Sequence, residues 1–201
     1  MSLLVKICGV TTQEGIDAAV ESGADAIGFV FHAPSSRNLQ PARAAALAAL
    51  LPVQLLRVAV TLHPSQALVD SVLAAFEPDV WQSDAGDFEH LRLPSQLQCW
   101  PVWRSGGALP QERPGRFLYE APASGAGTLA DWETAAALAR EGELILGGGL
   151  DAHNVASAVA LVRPFGVDVS TGVERAAGQK DAALIRQFIA AARAADRKKT
   201  A

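Results

Sequence analysis

Eight short runs rich in β-branched and aromatic residues alternate with alanine-rich stretches of helical period along the 201 residues, with no linker and no break in composition. This order predicts an α/β fold, a single-domain (β/α)8 TIM barrel over residues 1–201. A doubly wound open sheet would carry a G-x-G-x-x-G turn after an early strand, and the "CGVTTQ" that follows the first run does not supply it. The expected strands occupy 3–8, 25–31, 54–60, 79–82, 97–103, 117–120, 143–147 and 166–170. Helices are expected over 12–22, 41–50, 65–76, 131–140, 151–162 and 181–195, with weaker candidates at 86–92 and 105–112. At the first helix Thr11, with Glu14 three residues on, suits a capping box. Ser65 and Asp151 suit the acceptance of amide hydrogen bonds at two later helix starts.

Half of the residues are hydrophobic, which suits an ordered core, and the net charge is −4. The basic cluster Arg197-Lys198-Lys199 reads as a solvated helix end, so nucleic acid is not an expected partner. No apolar run approaches the ~20 residues that span a bilayer, so a membrane is not expected either. With two cysteines, Cys8 and Cys99, and no basic-then-apolar leader before the first strand, neither a disulfide framework nor secretion is supported; a cytoplasmic protein is expected. His32, His63, His90 and His153 show no metal spacing, and no metal site is inferred. Nothing in the chain implies an obligate protein partner.

In such a barrel the reactive groups sit at the C-terminal ends of the strands and on the loops that follow. This selects Cys8, the loop "HAPSSRN" with Arg37, Gln82, Arg104, Glu120, "LGGGL" and "DVSTGVE". Gly148 and Gly149 after the seventh strand, with Ser170, Thr171 and Gly172 after the eighth, bring backbone N–H groups close to an anion, and a phosphorylated small molecule follows. Glycines of this kind also make plain tight turns.

Alternation along the first strand puts Leu4, Lys6 and Cys8 on one face. Cysteine is a frequent core residue, but a thiol at a barrel mouth beside a cation can serve as a base. Cys99, inside the fifth strand, reads as packing. Lys6 requires a partner if buried, and Asp168, on the same inward face as Ser170, is available across the closing seam. That pair is either purely structural or also depresses the Cys8 titration below its usual ~8.5. Glu120 ends the sixth strand, and strands one and six lie three apart in the ring, so its carboxyl is expected to face Cys8 across one cavity for proton shuttling. Arg37 offers a planar fork suited to a carboxylate.

These residues resemble the phosphoribosylanthranilate isomerases of tryptophan biosynthesis, a branch of aromatic amino-acid biosynthesis. The likeness runs nearly the whole chain and is densest in "KICGVTTQEGIDAAVESGADAIGFVF", "SSRNL", "GAGTLADW", "LGGGLDAHNV" and "FGVDVSTGVE". The resemblance implies a cofactor-free Amadori rearrangement of N-(5-phosphoribosyl)anthranilate to 1-(2-carboxyphenylamino)-1-deoxyribulose 5-phosphate. It implies Cys8 as the base that takes the C2′ proton and the strand-six acid as donor to the ring oxygen. By the same likeness Arg37 lies near the anthranilate, and Gly148, Gly149, Ser170, Thr171 and Gly172 hold the phosphate. As donor, Glu120 would need a raised pKa, which burial under a closing loop hinged at "SGAG" would supply.

Three departures stand out. Glu120 replaces the commoner aspartate and is one methylene longer, so its carboxyl must retract or the backbone shift. "WQSDAGD" keeps Gln82 but puts Ser83 and Asp84 where a histidine and glycine are common, and no catalytic role is assigned there. Gln179 stands where a lysine or arginine is usual. Two other readings compete: a related sugar-phosphate isomerisation of histidine biosynthesis, against which Cys8 speaks because that reaction uses an aspartate at the first strand's end, and a non-catalytic barrel that binds a phosphorylated ligand.

Overall fold

Strand alternation sorts the apolar residues into two layers. Leu4, Ala26, Val58, Val80, Trp100, Val102, Leu118 and Ile145 fill the inside of a barrel, and the intervening positions, among them Val5, Ile27, Phe29, Trp81, Tyr119 and Val167, pack outward against helices. The computed structural model describes residues 2–107, 115–123 and 127–199. Its parallel strands close in sequence order: β1 (Leu4–Cys8), β2 (Ala26–Val30), β3 (Leu56–Val60), β4 (Val80–Asp84), β5 (Gln98–Arg104), β6 (Arg116–Glu120), β7 (Glu143–Leu146) and β8 (Gly166–Val169). The seam joins β1 to β8 in register, with Lys6 opposite Asp168.

Helices α1 (Gln13–Glu21), α2 (Pro41–Ala48), α3 (Gln66–Phe76), α4 (Trp132–Ala139), α5 (Val155–Val162) and α6 (Ala182–Lys199) cover the outside. A hairpin of β9 (Glu174–Ala176) and β10 (Gln179–Lys180) separates β8 from α6. Helix α1 is capped by Thr12 and not Thr11: Thr12 has extended backbone and its hydroxyl accepts from the Gly15 N–H, while the Thr11 hydroxyl donates to the Gly178 carbonyl. Ser65 caps α3 as expected, accepting from the Leu68 N–H. Asp151 accepts from the N–H groups of His153 and Asn154. It thereby holds a turn, so α5 begins only at Val155.

Of the two weaker helix candidates, 86–92 is a 3-10 helix over Ala85–Glu89. Gly86 weakens an α-helix there, and the Asp87 carboxylate is taken by Ser83 and His63. Residues 105–107 form a turn, and 108–112 lie outside the described residues. Cys99, near the start of β5, is exposed instead of packed in the core.

Candidate active site

At the seam the Lys6 ammonium lies 2.8 Å from Asp168 Oδ1, with Lys6 wholly buried. Burial pushes the Lys6 titration down, but the carboxylate of Asp168 and the sulfur of Cys8 outweigh it, and the net direction is upward. Cys8 sits opposite Gly28 of β2. A Cβ at that glycine would come within 2.9 Å of Cys8 Sγ and 3.1 Å of Lys6 Nζ, so β2 requires a residue without a side chain here. Burial pushes the Cys8 thiol up; Lys6 pulls it down, Asp168 raises it and Lys180 lowers it. The net shift is upward from 9.0. Lys6 thus lowers the thiol in the anticipated direction, but desolvation exceeds it and the net titration lies above the ordinary one.

Glu120 ends β6 level with Arg104 of β5. Arg104 Nη1 donates to Glu120 Oε2 at 3.2 Å, and Arg104 Nη2 donates to Asp84 Oδ1 at 2.5 Å. The extra methylene finds room beside Gly147, where a Cβ would lie 3.0 Å from Glu120 Cγ. The longer side chain is thus drawn sideways toward the β5 arginine. On β4, Gln82 is buried, and its carboxamide oxygen has no hydrogen-bond partner among the described residues.

Arg37 is gripped through two nitrogens, Nε to Glu174 Oε1 at 2.8 Å and Nη2 to Oε2 at 2.7 Å. The fork expected to meet a ligand carboxylate is filled by an internal one. Gly9, at φ 73°, lets the arginine stem cross the first loop; a Cβ there would meet Arg37 Cδ at 2.5 Å. Lys180 donates to Glu174 Oε1 at 2.7 Å and to the carbonyl and hydroxyl oxygens of Ser170 at 3.0 and 3.2 Å. A Cβ on Gly148 would stand 2.6 Å from the Ala121 backbone nitrogen, so the turn after β7 passes close to that after β6.

One cavity of about 490 Å³ opens at the C-terminal rim. Cys8, Arg37, Gln82, Glu120, Gly148, Gly149, Asp168, Ser170 and Thr171 line it together. Lys6 lies behind Cys8, and Gly172 packs against the Leu150 carbonyl, where only a glycine fits, instead of lining the cavity. Asp84 and Arg104 line it too, although sequence reasoning gave them no role. Glu174 falls within the selected "DVSTGVE" but was given no role, and Lys180 was not selected, because their signal is a pairing between a loop and a hairpin that no periodicity reveals. Of the "SGAG" hinge, residues 124–126 lie outside the described residues. No cluster of three or more metal-ligating side chains occurs among the described residues.

A closed barrel whose rim gathers a buried thiol, carboxylates and arginines about one cavity defines a class: a (β/α)8-barrel enzyme equipped for acid–base chemistry on a small molecule. The profile of the N-(5'phosphoribosyl)anthranilate (PRA) isomerase family matches residues 5–191, and the chain belongs to that family. It is 37% identical over 214 aligned positions to N-(5'-phosphoribosyl)anthranilate isomerase of Bradyrhizobium sp. (strain ORS 278), covering 98% of both chains. The crystal structure of phosphoribosyl anthranilate isomerase from Thermus thermophilus is similar at TM-score 0.81 and 26% identity, over 94% of this chain and 98% of that one. A phosphoribosyl anthranilate isomerase in complex with reduced 1-(o-carboxyphenylamino)-1-deoxyribulose 5-phosphate is similar at TM-score 0.76 and 30% identity, over 96% and 99%.

Proposed function

We infer that this chain is the isomerase that converts N-(5-phosphoribosyl)anthranilate to 1-(2-carboxyphenylamino)-1-deoxyribulose 5-phosphate by an Amadori rearrangement in tryptophan biosynthesis. The observation that carries the reading is the meeting of Cys8 and Glu120 on one cavity beside the glycine turns that follow β7 and β8, in a chain of this family. One barrel domain supplies every group, and the partner is a phosphorylated small molecule.

In this reading Glu120, which must carry its proton against the pull of Arg104, gives it to the ribose ring oxygen as the bond from that oxygen to C1′ breaks. The anilino nitrogen's electron pair moves toward C1′, forming an iminium. The Cys8 thiolate then removes the C2′ proton, and the C–H electrons become the C1′–C2′ double bond of an enolamine. Loss of the C2′ hydroxyl proton and protonation of C1′ complete the ketone, with no net gain or loss of atoms or electrons. The raised thiol makes the thiolate scarce but strongly basic, and the cation formed on the substrate favours its action at the step that needs it.

Gly148 and Gly149 with Ser170 and Thr171 receive the phosphate, Gly172 allowing the second turn its close approach. The Gln82 carboxamide, on the cavity wall, meets a sugar hydroxyl. Arg37 meets the anthranilate carboxylate with Nη1, the amino group that Glu174 does not take. Lys6 and Asp168 hold the charge balance beneath the thiol. A reducing compartment, the cytoplasm, suits a base that must remain an unoxidised thiol.

Loss of phosphoribosylanthranilate fluorescence on adding the purified protein tests the assignment. Cys8→Ala is expected to lower turnover by about 10²–10⁴-fold, and Glu120→Gln to abolish the donor. Wild-type turnover by Cys8→Ala would refute the base.

A further inference from the structure

The ammonium of Lys180 is almost wholly enclosed, at 1% side-chain exposure, and so is its partner Glu174 at 4%. An ammonium has three protons and accepts nothing. Its three contacts, to Glu174 Oε1 and to the carbonyl and hydroxyl oxygens of Ser170, use all three. Lys180 is therefore not available to a ligand without breaking one of these bonds. The Ser170 carbonyl also accepts from the Val173 N–H, so the turn after β8 is closed from two directions.

The consequence falls on the Ser170 hydroxyl. It has one proton and two lone pairs, and Lys180 occupies the acceptor side. No acceptor for that proton is present among the described residues, and Ser170 borders the cavity. We propose that Lys180 is a positioning residue of the phosphate grip: by donating to the Ser170 oxygen it commits the Ser170 O–H to donate into the cavity, onto the terminal phosphate of the substrate. Glu174 sets Lys180 at this station, and because the same carboxylate grips Arg37, the anchors for the two ends of the substrate share one internal acid. The proposal rests on the assignment of Ser170 to the phosphate made above.

A lysine that merely tied the hairpin to β8 would change stability and leave phosphate binding independent of the Ser170 hydroxyl. Calorimetric titration of the full chain with inorganic phosphate, beside KM and kcat for the substrate, separates the two. Lys180→Met and Ser170→Ala are each expected to weaken phosphate by about tenfold, with the loss falling on KM more than on kcat. The double variant should be no weaker than either single one, because both remove the same bond. Wild-type phosphate affinity in Lys180→Met, or losses that multiply in the double variant, would overturn the proposal. If a thermal melt shows Lys180→Met unfolded, Ser170→Ala decides: a tenfold loss supports the proposal and unchanged affinity sinks it. Phosphate titration requires no turnover, so a failed isomerase assay with this pattern intact would strike the reaction assignment alone.

Discussion

At Cys8 two effects of opposite sign compete, and their balance is a matter of burial. Lys6 lowers the thiol titration, as a neighbouring cation must, but enclosure by Gly28 and the seam raises it further. Asp168 adds to the rise, so its removal has a definite sign. Asp168→Asn should move the midpoint of Cys8 alkylation downward from the wild-type value, which lies above 9.0. Alkylation rates measured across pH check both, and an upward move in the variant would contradict the balance. The Lys6–Asp168 pair was legible in the sequence, because strand alternation and closure of β8 on β1 leave a buried lysine few choices. The fate of the Arg37 fork was not: its partner lies 137 positions away in a hairpin, and only the packed loops bring them together.

The elements around the rim are held by side chains that leave their own loops. His63 adopts φ 47°, a left-handed conformation uncommon outside glycine. It is held there by Asp87, which accepts from the His63 N–H at 3.0 Å and meets Nδ1 at 2.8 Å. This contact ties the loop after β3 to the 3-10 helix after β4. The hydrogen bond to Asp87 raises the His63 titration above 6.5. Asp87 is lowered below 3.8, its partial burial being outweighed by bonds from Ser83 and His63. A raised histidine stabilises the fold fully below its unfolded value and loses that contribution as pH rises through its folded value; a lowered carboxylate contributes above its unfolded value. Both are therefore engaged between about pH 4 and 6.5. His63→Ala should lower the melting temperature most in that window, with the gap from wild type narrowing as pH climbs past the raised histidine. A gap that does not vary with pH would remove the charge from the explanation. Helix positions were legible from period and from caps such as Ser65. The shift from Thr11 to Thr12 was not, because the two neighbours differ only in what the folded hairpin offers Thr11.

For the molecule as a whole, closure depends on the rim opposite the cavity, where α6 returns to the strand starts. Arg193 donates to the carbonyls of Leu3 and Gly23, to the Ser2 hydroxyl and to Asp25, while Asp25 also accepts from the Val5 N–H. One side chain thus fastens the last helix to β1 and to the turn before β2. Arg193→Met should destabilise the barrel by about 1–3 kcal/mol in denaturant unfolding and leave KM unaltered, since the cavity lies at the other end. A change in KM without loss of stability would show that the two rims are coupled.

The barrel, the order of its strands and the strand ends at which chemistry is concentrated can all be read from the chain. Period, alternation and turn residues act over a few neighbours and leave a readable trace. The Lys6–Asp168 pairing belongs with them, since ring closure follows from strand count. Tertiary structure alone decided that burial raises Cys8, that Glu120 is drawn to Arg104, that Glu174 fills the Arg37 fork and that Cys99 is exposed. Each of these is set by burial, by exposure or by a side-chain contact between separate strands or loops, and none of the three has a period along the chain.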